Sequence, residues 1–147
     1  MKLLKIYSWI SGSMTDFTKP FKDNEALYKQ ARSFWGHLEN NSVVIFLICL
    51  VLGIALAIYY YKPYNDSPGR HYTLKHWLIF LFITFLLTFV VTFGFEYFAV
   101  TPKLSGAIGL EAKIALGNAI YASIVYFITS VIWCNIGSTN AYRLFKF

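Results

Sequence analysis

Residues 43–61 read VVIFLICLVLGIALAIYYY, a run without a single acidic or basic side chain. Two further runs share this character: residues 77–95 read WLIFLFITFLLTFVVTFGF, and residues 114–136 read IALGNAIYASIVYFITSVIWCNI. The hydrocarbon core of a bilayer is about 30 Å thick, so a helix that rises about 1.5 Å per residue needs about 20 apolar residues to cross it. The three runs therefore predict membrane-spanning helices over about residues 43–61, 77–99 and 114–136.

The composition of the whole chain supports this prediction. Hydrophobic residues make up 57% of the 147 residues and charged residues 14%, whereas soluble domains carry about 25% charged residues. A chain this short buries only about two-thirds of its surface on folding, so much of its apolar surface must face lipid. We predict an all-α fold, an integral membrane helical bundle with three transmembrane helices and an amphipathic N-terminal region. A soluble oligomer with three buried helices is the weaker alternative.

Residues 1–42 form the predicted N-terminal region, which is cytoplasmic or interfacial. Residues 2–10, KLLKIYSWI, suit either a short helix on the membrane surface or a disordered or partner-bound tail. A second amphipathic helix is expected to begin near Asp23 or Asn24, either of which can cap it. Its predicted apolar face has helical spacing and consists of Leu27, Ala31, Phe34, Trp35 and Leu38. The polar residues 40–42 predict a break or kink before the membrane domain, residues 43–136.

Two connections and a tail complete the predicted organisation. Tyrosines and Trp77 flank the polar residues 62–76 and predict an aromatic belt at one membrane face. In residues 101–113, Pro102 should end the second helix. The third helix then follows an interfacial turn or begins early, near Ser105. Residues 137–147 form a predicted interfacial tail with aromatic and basic side chains.

The second apolar run contains a polar row. Thr84, Thr88, Thr92 and Glu96 recur every four residues, which places them on one side of a helix. One hypothesis is that this polar stripe lines a water-filled path, with Glu96 near its mouth selecting cations. The alternative is that the threonines bond to their own helix backbone and pack against another helix. In that case Glu96 lies at the interface and pairs with Lys103 or Lys113.

Small residues at a spacing of four predict close helix packing in the other two runs. They are Gly53 and Ala57 in the first run, and Ala115, Ala119 and Ser123 in the third. The contacts are expected within one chain or between chains. Three helices enclose little volume, which favours a homo-oligomer or a larger membrane complex. Glu111 and Lys113 flank the start of the third run, and with Lys103 they are predicted interfacial charges.

The sequence contains no recognisable catalytic motif, such as a nucleophile elbow, a phosphate-binding loop or a zinc-protease signature. Cys49 and Cys134 lie inside apolar runs, where free cysteines behave as small hydrophobic residues. We therefore predict a protein that is not an enzyme and needs neither a metal nor a cofactor. The net charge of +6 is attributed to attraction for anionic lipid headgroups and not to nucleic acid.

These observations lead to two functional hypotheses. The first is a non-catalytic inner-membrane protein that oligomerises or anchors a larger membrane complex as a structural subunit. The alternative is a homo-oligomeric ion-conducting pore or membrane-depolarising effector that uses the polar stripe. Residues 1–42 and 101–113 hold more lysine and arginine than residues 62–76 and 137–147. The positive-inside rule therefore predicts a cytoplasmic N-terminus.

Overall fold

A computed structural model describes residues 3–66, 74–100, 104, 106–137 and 144–146. These ranges contain the α-helices α1 (Ser8–Ser11), α2 (Met14–Thr18), α3 (Glu25–Tyr59), α4 (Leu74–Ala99) and α5 (Ile108–Ile136). Short 3-10 segments, Leu3–Tyr7 and Lys19–Phe21, precede α1 and follow α2. A π-helical turn, Tyr60–Tyr64, extends α3. The described part of the chain contains no β-strand.

Three of these helical segments are long and apolar enough to cross a membrane. They are Glu25–Tyr64, Leu74–Ala99 and Ile108–Ile136, and each contains one of the predicted runs. Large apolar side chains remain exposed along them, including Phe82 (61% exposed), Val90 (62%) and Phe98 (79%). Lipid hydrocarbon is the solvent that such side chains suit. The predicted all-α membrane fold with three spanning helices is confirmed.

The first turn of α3 follows the predicted capping pattern. The Asn24 side-chain oxygen accepts hydrogen bonds from the backbone N–H groups of Ala26 (3.1 Å) and Leu27 (3.2 Å). These bonds satisfy donors that have no partner within the helix. The predicted apolar face is buried except for Leu27; its buried members are Ala31, Phe34, Trp35 and Leu38.

A break or kink was predicted at residues 40–42, and the break was wrong, because α3 continues through them. The Asn41 side chain donates a hydrogen bond to the His37 carbonyl (2.9 Å), and the Ser42 hydroxyl donates to the Glu39 carbonyl (2.6 Å). Both polar side chains therefore bond to the preceding turn of their own helix, and the backbone has no need to unwind around them.

The third spanning helix begins at Ile108, six residues before the apolar run and three residues after the predicted early start near Ser105. Gly106 precedes it with a φ of +94°, a left-handed conformation that glycine adopts without steric cost. The first residues of α5, including Glu111 and Lys113, are thus helical and do not form a loop.

The described contacts divide the chain into two compact units. Unit 1 consists of Met1–Ile48 and Phe89–Asn118, and unit 2 consists of Cys49–Thr88 and Ala119–Phe147. In unit 1 the N-terminal residues fold against the long helices. Leu4 and Tyr7 are 2% and 0% exposed. The Phe17 ring centroid lies 6.1 Å from that of Phe34 and 5.8 Å from that of Trp35. The N-terminal residues are therefore packed parts of unit 1.

An aromatic core fills unit 2. Its buried members are Ala57, Tyr60, Tyr61, Trp77, Phe80, Tyr126 and Cys134. The Trp77 indole N–H donates a hydrogen bond to the Ser130 hydroxyl (3.1 Å). The predicted aromatic belt was therefore wrong for Tyr60, Tyr61 and Trp77, because these rings pack inside the protein. Cys49 and Cys134 are buried free cysteines, as predicted.

Candidate functional site

The polar stripe of α4 faces the protein interior. All four of its residues are 0% exposed: Thr84, Thr88, Thr92 and Glu96. The Thr84 hydroxyl donates to the Phe80 carbonyl of its own helix (2.8 Å). Thr84 and Thr88 belong to unit 2, whereas Thr92 and Glu96 belong to unit 1. A regular spacing in sequence thus produces one buried row, whose members have different surroundings.

Asn118 is the centre of a hydrogen-bonded network in unit 1. Its side-chain oxygen accepts a hydrogen bond from the Tyr7 hydroxyl (2.7 Å). Its side-chain amide donates to the Ile45 carbonyl (2.8 Å) and to the Thr92 hydroxyl oxygen (2.8 Å). One asparagine on α5 therefore bonds to the N-terminal segment, α3 and α4. Because every group involved is buried, the network fixes the relative positions of these elements.

Glu96 lies one helical turn after Thr92 on the same face of α4. It is completely buried, and no group in the described ranges donates a hydrogen bond to either of its carboxyl oxygens. Glu111, on α5, is 4% exposed and interacts electrostatically with Glu96. Of the two lysines predicted as partners of Glu96, Lys113 is exposed on α5, and Lys103 lies outside the described residues. The structure thus brings two buried carboxyl groups together in unit 1.

The small residues allow close packing within the chain. A Cβ atom at Gly53 would lie 2.8 Å from the Ala122 carbonyl oxygen and 2.9 Å from the Cβ of Val125. Gly53 is therefore the point in unit 2 where α3 approaches the α5 backbone. The other predicted packing residues are also on inward faces: Ala57, Ala115 and Ala119 are 0% exposed, and the half-buried Ser123 donates to the Ala119 carbonyl (3.0 Å).

A second close approach joins the N-terminal segment to α5 in unit 1. A Cβ atom at Gly117 would lie 3.1 Å from Tyr7 Cδ1 and 3.2 Å from Ile10 Cγ2. Gly117 and Asn118 thus act together, since the glycine admits the Tyr7 ring and the asparagine binds its hydroxyl. The sequence shows Asn118 as a polar residue within the third apolar run but does not indicate its partners or a role for Gly117. A Gly-Asn pair inside an apolar run was the available signal.

An open cleft of about 640 Å³ lies beside this contact in unit 1. Trp9, Asp16, Phe17, Gly109 and Lys113 are among the residues that line it. The Ser13 hydroxyl and the Ser13 backbone N–H donate to the Asp16 carboxylate, and these bonds hold the pKa of Asp16 below its ordinary value. The cleft thus carries a negative charge from Asp16 and a positive charge from Lys113.

No protein-family model, curated protein or solved structure matches this chain.

The chemical capacity of the site follows from its donors and acceptors. Within the described ranges, no group of three or more His, Cys, Asp or Glu side chains is placed to hold a metal ion. The side-chain oxygen and amide of Asn118 make three short hydrogen bonds, which suits a structural role. Glu96 differs, because its carboxyl oxygens have no donor in the described part of unit 1. Thr92, which belongs to the Asn118 network, and Glu96, whose carboxyl oxygens have no described donor, therefore lie one helical turn apart on α4.

Proposed function

We propose that this protein is a non-catalytic, multi-pass membrane protein that acts as a structural subunit. It anchors a larger membrane complex or assembles with copies of itself. The observation that carries the proposal is the inward position of the polar stripe and the small residues. Thr84, Thr88 and Thr92 are buried, and Gly53 packs against Ala122 of the same chain. These features hold the helices together, and the outer surfaces of the helices are available to contact lipid and protein partners.

The N-terminal region supports an anchoring role. α3 has 35 residues, and at about 1.5 Å per residue it is about 50 Å long, which exceeds the hydrocarbon core of about 30 Å. Its first turns therefore extend beyond the hydrocarbon and expose Lys29, Arg32 and His37. This polar surface suits a protein partner or anionic lipid headgroups.

We propose the inner, cytoplasmic membrane as the location and a cytoplasmic N-terminus as the orientation. Residues 1–42 and 101–113 carry Lys2, Lys5, Lys19, Lys22, Lys29, Arg32, Lys103 and Lys113. The other two polar segments carry Lys62, Arg70, Lys75, Arg143 and Lys146. A reporter that is active on one side of the membrane only, fused after Phe147, is expected to report the external side. Cytoplasmic activity at that position would reverse the orientation.

Photo-crosslinking and ion flux together test the structural role. A photoreactive residue at the exposed position Val90 or Trp9 should crosslink in native membranes to another protein or a second copy of the chain. The same residue at the buried Ala119 should not. Liposomes that contain the purified protein should conduct no more than empty liposomes. A chain that crosslinks to no protein from either exposed position would contradict the proposal.

The pore remains the second candidate, because a purely structural subunit has no evident need for Glu96. Glu96 is fully buried, and no described residue donates a hydrogen bond to its carboxyl group, which is costly. A pore lined by the stripe requires α4 to rotate, so that Thr88 and Thr92 leave the interior. In the liposome experiment, a conductance whose ion selectivity changes on Glu96→Gln would favour the pore over the structural subunit.

A further inference from the structure

We propose that Glu96 and Glu111 form a buried binding site for a small monovalent cation, with Na⁺ as the probe of choice. The site lies within unit 1 and goes beyond the proposed structural function. Three observations carry it: the burial of Glu96 with no hydrogen-bond donor among the described residues, the second carboxyl group in the same unit, and the position of Glu96 near the C-terminal end of α4.

The first observation is energetic. A carboxyl group that leaves water loses strong hydrogen bonds, and buried polar groups in proteins are nearly always compensated. Glu96 is 0% exposed, and neither oxygen receives a hydrogen bond within the described residues. Polar residues are rare at membrane depth, and an ionisable one there most often marks an ion or substrate site. A bound cation would supply the missing compensation at both oxygens.

The second observation concerns local charge. Glu111 is also buried, and its negative charge repels a negative charge on Glu96. Glu111 lies in the first turn of α5, where the helix dipole favours a negative charge. Glu96 lies in the last turn of α4, where the dipole favours a positive charge. The dipole of α5 thus stabilises Glu111 as an anion, and the dipole of α4 attracts a cation to Glu96.

The chemistry indicates the class of ligand. Carboxylate oxygens are hard donors that suit alkali and alkaline-earth cations better than softer metals. The C-terminal ends of interrupted helices contribute to sodium or proton sites in membrane transporters, which use the same dipole. The described residues offer two carboxyl groups and no larger acidic cluster. Dedicated calcium sites use more oxygen ligands than this pair supplies, and Na⁺ is therefore the ion that we propose.

Thermal stability in different salts tests the site. The purified full-length protein in detergent is heated in NaCl, KCl or N-methylglucamine chloride at equal ionic strength. A ligand present at many times its Kd raises the melting temperature through preferential binding to the folded state. We expect Na⁺ to raise the apparent melting temperature by about 5 °C relative to N-methylglucamine. Melting temperatures that are equal in all salts would overturn the proposal.

Two variants assign the effect to Glu96. Glu96→Gln should abolish the sodium-dependent shift. Glu25→Gln should retain it, because Glu25 is an exposed carboxylate paired with Lys29 at 2.9 Å. A shift that persists in Glu96→Gln places the ion elsewhere and overturns the proposal. If Glu96→Gln does not fold, the melting temperature of Glu111→Gln is measured instead. A sodium-dependent shift as large as that of the unmodified protein would then overturn the proposal. The crosslinking experiment tests the structural role separately, so its failure to find a protein partner would not change the sodium-dependent shift.

Discussion

Replacing Gly53 with alanine should lower the free energy of unfolding by about 1–3 kcal/mol, the usual cost of overpacking. The added Cβ would lie 2.8 Å from the Ala122 carbonyl oxygen. A helix carbonyl cannot rotate away as a flexible side chain can, so α3 and α5 must separate locally in unit 2. The separation weakens the dispersion contacts on either side of the glycine. Unfolding by sodium dodecyl sulfate in mixed micelles, followed by circular dichroism, measures the change.

Gly36→Ala is the matched control for this prediction. Gly36 lies on the same helix, and apart from its chain neighbours and its own helix backbone, no described atom lies within 4 Å of the position that its Cβ would take. Alanine is favoured over glycine in a helix by about 1 kcal/mol, so this variant should be neutral or more stable. The Gly53 contact would be contradicted if both variants changed stability by the same amount and in the same direction.

Replacing Asn118 with leucine should destabilise the protein by about 2–4 kcal/mol, because it removes three buried hydrogen bonds at once. Leucine keeps a similar volume, so lost packing contributes little. The Tyr7 hydroxyl and the Thr92 hydroxyl lose their partner amide. We expect faster proteolysis within residues 3–24, measured by limited digestion in detergent, because Tyr7 joins that segment to α5.

Asn135→Leu provides the control on the same helix. Asn135 is exposed, and its amide donates to the Val131 and Phe145 carbonyls (2.8 and 2.9 Å). Water can replace these bonds, so the cost should stay below about 1 kcal/mol. Tyr7→Phe combined with Asn118→Leu should cost less than the sum of the single changes, since both remove one shared bond. Additive effects, or an equal cost for Asn135→Leu, would contradict the network.

Sequence alone predicted the parts of the fold that depend on local composition and periodicity. The three spans follow from uncharged length, which the thickness of a bilayer requires. The buried face of α3 follows from helical spacing, and the shared side of the polar stripe follows in the same way. Asn24 was identified as a candidate cap because its side chain acts on donors only two and three residues away.

The partners of the buried polar groups were not predictable, because they are distant in sequence. Tyr7 and Asn118 are 111 positions apart, and no local pattern connects them. The error at residues 40–42 had the opposite cause. Asn41 and Ser42 have polar side chains typical of breaks, but both found acceptors within their own helix. Tyr60 and Tyr61 were placed at the membrane surface by residue type, whereas the packing of unit 2 buried them.

The central claim is that the polar stripe faces the interior of a single chain. Crosslinking Thr92 to Asn118 tests it most directly, because these side chains are in contact at 2.8 Å. Both are changed to cysteine in a chain whose own cysteines are replaced by alanine. A short bifunctional thiol reagent is then applied in membranes. Val90→Cys with Asn118→Cys is the control, since Val90 is 62% exposed on the same helix.

We predict an intramolecular crosslink for the Thr92 and Asn118 pair. The protein should migrate as a monomer, and cleavage between α4 and α5 should leave two fragments joined until the crosslink is broken. The Val90 pair should give no such product. Thr92 cysteines that instead link one chain to another, or that react rapidly with a charged, membrane-impermeant thiol reagent, would show a stripe turned toward a neighbour or toward water and would contradict the account.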